Sequence, residues 1–169
     1  IMRLLIVLTL LISGFSYSQI QVTDADFADG GDTVRMSMAT DLTIDYSSTG
    51  TNYTWDFSAL VADEQVLREY HNISEGSVLM SFIFGIIAPT EYQGTNFSAT
   101  DAIPLDQLGA FLPISISDMS IVSKNTSSEI NSIGYSMVVE GTEIPFKSDT
   151  IETRYELPLD YGNVYSSNG

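Results

Sequence analysis

The chain has no cysteine, so it forms no disulfide, offers no thiolate to a metal or a substrate, and carries no lipobox cysteine for an acyl anchor. Histidine occurs once, at His71, which leaves no His pair for zinc and a single candidate base for a Ser/His/acid arrangement. Basic residues are scarce: six Lys and Arg stand against 22 Asp and Glu, a formal net charge of −16 over 169 residues. A phosphate backbone would meet like charge, so nucleic acid is not an expected partner. Long apolar runs are missing too. Leu4 to Ile12 is broken only by Thr9, and Val78 to Ala88 holds eleven residues, against the roughly 20 that a hydrocarbon core requires. The second window reads as a buried strand or short helix. No Gly-rich phosphate loop, nucleophile elbow or zinc motif occurs.

What is present at the start has the order of a secretory leader. Met2 and Arg3 give a short basic beginning, Leu4 to Ile12 the apolar stretch, and Ser16 and Ser18 the small residues before a cleavage site. Cleavage is expected after Ser18, leaving Gln19, so residues 1–18 are a signal peptide and the product is secreted to the extracellular space or the cell surface, with no membrane span after leader removal. That leader takes away Arg3 and no acid, so the charge moves from −16 to −17, with five bases against 22 acids. Such a chain stays soluble where salt screens self-repulsion over about 8 Å or less. Ile1 precedes Met2, and the chain stops soon after an apparent strand and turn. Both ends lead us to expect the N-terminal part of a longer reading frame, with residues 19–169 a single domain truncated at its C-terminus.

A hydrophobic content of 44% supplies a core, and its spacing is that of strands. Val34, Met36 and Met38 alternate with polar residues, and the same phase returns at Leu42, Ile44 and Tyr46. Tyr53, Trp55 and Phe57 alternate with Thr54 and Asp56; Ile133, Tyr135, Met137 and Val139 share one face; Ile151, Thr153, Tyr155 and Leu157 share another, opposite Glu152, Arg154 and Glu156. Gln65 to Ile73 reads as a strand with neither face cleanly apolar. Glu140 to Glu143 is a hairpin connection in which Gly141 supplies a positive φ. Helix is expected only over Asp101 to Leu108, for one or two turns. Seven or more short strands in about 150 residues predict an all-β fold, an antiparallel β-sandwich of jelly-roll kind.

Four groups of residues are candidates for chemistry. Asp24, Asp26, Asp29 and Asp32, with Gly30 and Gly31 between them, offer hard oxygen ligands of the type calcium takes; the register of an EF-hand loop fails, because its fifth and sixth positions fall on Ala28 and Asp29. A solvated entry turn before Val34 is the plainer reading. Tyr53, Trp55 and Phe57 make either a ligand platform for sugar rings or part of a core. Glu152 and Glu156 lie about 13 Å apart along a strand at roughly 3.3 Å per residue, too far for the paired carboxylates of glycoside hydrolysis, and with Arg154 they read as a solvated ion-pair ladder. Glu140 and Glu143 read as turn acids, and His71 as an edge histidine. Sequons begin at Asn52, Asn72, Asn96 and Asn125 and carry meaning only in a eukaryotic host. No catalytic residue is assigned and no cofactor is implied beyond calcium at the aspartate loop.

Three stretches carry a resemblance. Ile20 to Asp26 (IQVTDAD) with Gly31 to Arg35 (GDTVR), Thr49 to Ser58 (TGTNYTWDFS) and Tyr155 to Asn163 (YELPLDYGN) resemble the N-terminal region of secreted Bacteroidota proteins, flavobacterial ones among them, that often end in a type IX secretion sorting domain. The leader ending FSYSQ is similar to flavobacterial signal peptides. The resemblance implies export and surface display and carries no catalytic residue across. Asp32-Thr33-Val34 and Asp149-Thr150-Ile151 are similar to Asp-Ser/Thr-aliphatic O-glycosylation sites of that phylum, which marks Thr33 and Thr150. The function expected is therefore a non-catalytic exported β module serving adhesion, glycan contact or spacing within a larger surface protein. The alternative is an accessory or incomplete part of a secreted hydrolase acting on polysaccharide or peptide, and a calcium-stabilised structural protein is a third reading.

Overall fold

In the computed structural model, residues 21–39, 47, 50, 54, 56–100, 114–160 and 162–166 are described. Six strands are described: β1 is Thr33–Met38, β2 Glu64–Asn72, β3 Asn96–Ala99, β4 Ile116–Asn125, β5 Glu129–Val139 and β6 Thr142–Glu156. Among the described residues these strands form one sheet in chain order, each antiparallel to the next. The fold is therefore all-β and antiparallel with little helix, as the alternation predicts. The expected strands through Leu42, Ile44 and Tyr46 and through Tyr53 and Trp55, and the expected turns of helix over 101–108, lie outside the described residues.

β2 changes neighbours along its length. Its residues Glu64 to Glu69 pair with β1, and Tyr70 to Asn72 pair with β3. β1 and the first part of β2 thus run on as a two-stranded ribbon, which explains why Val34, Met38 and Leu67 remain well exposed. β5 and β6 are joined by Glu140 and Gly141 alone, both with positive φ (48° and 78°), the two-residue turn whose twist matches that of the strands it connects.

The one α-helix among the described residues, α1 (Val78–Phe84), lies between β2 and β3, inside the apolar window read as strand or short helix. Ser77 caps it, its hydroxyl accepting from Met80 N at 3.1 Å, and Ser77 N in turn donates to a Glu143 carboxylate oxygen at 2.7 Å. That bond ties the helix start to the β5–β6 hairpin, with the carboxylate at the positive end of the helix. Met80 and Phe84, four residues apart and so on one helix face, are fully buried with Ile73, Phe97, Val122 and Ile133; Ile83, Tyr92 and Ile151 pack against them. Phe84 fits because β5 carries glycine beneath it. A Cβ on Gly134 would sit 2.5 Å from Phe146 O and overlap the Phe84 ring, so the close approach of helix to sheet depends on the missing side chain.

Bulges correct the single-faced reading of β6. Asn131 pairs with Thr153 while the preceding residue on β5, Ile130, pairs with Tyr155, which leaves Arg154 as an extra residue. Ile151 consequently packs on the helix-side core, whereas Tyr155 joins Ile130 on the other face. A second irregularity between β4 and β5 sets Asn131 and Ser132 into the interior, where Asn131 Oδ1 and Ser132 Oγ have no hydrogen-bond partner.

The two phenylalanines of α1 give a direct check on this packing. Phe84→Ala is expected to cost about 3–5 kcal/mol in chemical denaturation, while Phe82→Ala, at a side chain 65% exposed, should stay within about 0.5 kcal/mol of the parent.

Candidate functional site

Opposite faces of a strand carry alternate residues, so the strands that send Phe97 and Val122 to the helix send Asn96, Ser98, Ile121 and Ser123 the other way. On that second face lies a concavity of about 250 Å³. Segment 21–32 forms its rim. Val22 and Leu159 exchange backbone hydrogen bonds of 3.0 and 2.8 Å, beside β6; Gly31 N donates to Tyr70 O at 2.7 Å and Tyr70 N to Asp32 O at 2.9 Å, on β2. Between these ends Asn125 Nδ2 donates to Ala28 O at 3.1 Å and Asn96 Nδ2 to Asp29 Oδ1 at 3.1 Å. The segment therefore crosses the strand ends from one side of the sheet to the other and places Phe27 over the concavity, its ring 5.0 Å from that of Tyr155.

The walls mix three chemistries. Phe27, Tyr70 and Tyr155 supply aromatic surface; Asn96, Asn125, Ser98 and Ser123 supply amides and hydroxyls; Arg68 and Arg154 supply guanidinium groups. Asn125 Oδ1 is buried without a hydrogen-bond partner. No Asp, Glu or His lines the concavity among the described residues. β2 and β6 would stand about 19 Å apart across four spacings of a flat sheet, at ~4.8 Å each; Arg68 and Arg154 line one concavity because the sheet curls and the side chains are long.

The carboxylates of the aspartate loop accept hydrogen bonds within its own turns and from β3. Asp26 accepts from Thr23 N at 2.9 Å and from its hydroxyl at 3.2 Å, Asp29 from Gly30 N at 2.9 Å and from Asn96, and Asp32 from Asp29 N at 2.8 Å. Asp24 opens the same short 3-10 turn. Three of the four carboxylates are turn and strap acceptors, and among the described residues no group of three acids or histidines is placed to hold a metal ion.

The other candidates disperse. Tyr53 and Trp55 lie outside the described residues, and Phe57 is 49% exposed and outside any strand. Thr33 and Thr150 are both exposed, on β1 and β6; Ser18 and Gln19 are outside the described residues. Arg154 makes no ion pair with Glu152 or Glu156 among the described residues, since the bulge breaks the expected ladder. Glu140 and Glu143 are structural rather than solvating: Glu140 accepts from Ser115 N at 2.6 Å and Glu143 from Ser77 N. Of the sequon asparagines, Asn96 is 2% exposed and Asn125 binds Ala28, so neither is open to glycosylation in the fold. His71 stacks 5.3 Å from Phe97, with Glu69 and Glu75 at 3.8 and 3.6 Å.

Comparison with known protein families, with curated proteins and with solved structures finds no match to the chain. No helix among the described residues is long and apolar enough to cross a membrane.

Acid should act on the turn that follows β2. The Asn72 side-chain amide, and after it the Asn72 backbone N–H, hold the Glu75 carboxyl below its ordinary value of 4.5. A depressed folded-state pKa adds stability that is complete above the unfolded value and is lost as pH falls through the folded one. In an NMR pH titration Glu75 should titrate below 4.5, and Asn72→Ala, which removes the side-chain amide and keeps the backbone N–H, should raise it part of the way back.

Proposed function

We propose that the chain is an exported, non-catalytic β module that contacts glycan through the concavity beneath Phe27 and Tyr155. Sugar rings present apolar C–H faces beside a girdle of hydroxyls, and they are held by aromatic surface together with convergent amides, hydroxyls and guanidinium groups. The observation that carries the reading is the coincidence of all these groups in one lining that holds no acid or histidine among the described residues. Hydrolysis of a glycosidic bond calls for a pair of carboxylates, so this lining favours retention over turnover.

Two wider expectations belong to the same reading. The leader-like start assigns the chain to the secreted or cell-surface compartment, and the resemblance to flavobacterial secreted proteins of the type IX kind makes surface display its setting. A second layer over the concave face would make the sheet half of a sandwich, which agrees with the burial of Met119, Ile121 and Ile130, all 6% exposed or less and none part of the helix-side cluster.

A panel of immobilised glycans tests the reading. The purified protein should be retained on at least one glycan without releasing reducing ends, and Tyr155→Ala should weaken that retention ~2–10-fold, the scale of one aromatic contact. Retention on no glycan, or turnover of any, would overturn it.

A further inference from the structure

The concavity holds two cations that the rest of the molecule leaves alone. After the leader, the chain has five basic residues against 22 acids, and three of the five are arginines. With acids in such excess, an exposed base is expected to acquire a carboxylate neighbour. The side chains of Arg35, Arg68 and Arg154 make no hydrogen bond or ion pair among the described residues, and of the three Arg68 and Arg154 line the same concavity. The two lysines are engaged elsewhere: Lys124 Nζ donates to Thr90 O, and Lys147 Nζ lies 4.6 Å from the Tyr92 ring centroid.

We propose that the ligand of this concavity is an acidic saccharide, whose carboxylate or sulfate is held between Arg68 on β2 and Arg154 on β6. The proposal rests on the glycan-contact reading and names its ligand class. A guanidinium is a permanently charged planar fork that matches a carboxylate or sulfate with two parallel hydrogen bonds. Nothing in the lining competes for it. Asp29, which lies behind Asn96, already has its Oδ1 filled by Asn96 Nδ2 and Gly30 N. A bare anion would need only the two arginines; the rings of Phe27, Tyr70 and Tyr155 offer surface for the apolar face of a sugar, and the Ser98 and Ser123 hydroxyls can accept from its hydroxyl groups. An acidic peptide has the charge without that ring.

The formal net charge of −16 repels a polyanion at a distance, yet screening confines that repulsion to about 8 Å at physiological salt and less in stronger brine. Contact with the arginines acts inside this range. An acidic glycan is thus captured at the concavity and repelled by the rest of the surface, which fixes where on the protein it binds.

Isothermal titration with polygalacturonate, a sulfated galactan, a neutral galactan and polyglutamate tests the proposal. Either or both acidic glycans should bind, the difference between them naming the oxyanion, and the neutral galactan should bind at least about tenfold more weakly. Arg68→Gln and Arg154→Gln should each lower the affinity at least about tenfold, while Arg35→Gln, on β1 and outside the lining, should leave it unchanged. Melting curves accompany each variant; Arg154 is exposed, so R154Q decides the matter if R68Q is destabilised. Equal binding of the neutral galactan, indifferent to R154Q, overturns the acidic ligand and leaves the glycan reading standing. Polyglutamate binding as tightly as the acidic glycans overturns the saccharide. Binding to none of the four brings down both this proposal and the reading it rests on.

Discussion

A sheet of six strands in simple chain order has two edges and a row of strand ends with backbone groups to satisfy. In this protein one segment, 21–32, answers for much of that. It pairs with the chain just beyond β6 at Leu159 and with β2 at Tyr70, and side chains from β3 and β4 reach it on the way. The aspartates of the segment are the acceptors that hold its turns. The concave face has a rim because of this strap, and Phe27 stands opposite Tyr155 because the strap carries it there. Without it the arginines, amides and rings of the second face would sit on an open sheet.

The helix side depends on a different economy of space. Phe84 descends onto a sheet position from which the side chain is missing, and Gly134 and Phe84 together fix how near α1 approaches. Glu143 anchors the start of the helix from across the hairpin. The outer surface of this layer is apolar: Val78, Ile86 and Ile87 are 87%, 88% and 70% exposed. The two faces thus differ in character, an apolar helical layer on one and a polar, aromatic, cationic hollow on the other. The bulge at Arg154 divides β6 between them, sending Ile151 to the first and Tyr155 to the second.

Much of the sheet was legible because period-two alternation survives wherever a strand is regular. β1, β5 and the second half of β6 follow directly from it, β2 less cleanly, and Gly141 marks the turn of the β5–β6 hairpin. β3 is four residues long, too short for a pattern, and β4 is interrupted near Asp118, whose φ of 48° accompanies a shift in register; its apolar residues fall out of phase, and periodicity does not find them. The site was legible only as a puzzle. Arg68 and Tyr70 share a face of β2 with Val66, the mixture that left this strand without a clean apolar side. That a face half aromatic and half charged belongs to a concavity follows only once Arg154, 86 positions later, is folded against it. The aspartate loop, whose plainer reading is an entry turn before β1, has carboxylates that accept from the backbone amides of its tight turns.

The face opposite α1, and not the exposed helix, is the one we propose to meet the ligand, through Arg68 and Arg154. The most direct measurement is a two-dimensional NMR titration of the protein with an acidic oligosaccharide, following backbone amides and arginine side chains together. The account predicts shifts at Arg68, Tyr70, Ser98, Asn125 and Arg154, including both arginine Nε–H signals, with the amides of Val78, Phe82 and Ile86 unmoved. Shifts gathered on α1, or on the concave face with both arginine side chains unperturbed, would contradict it.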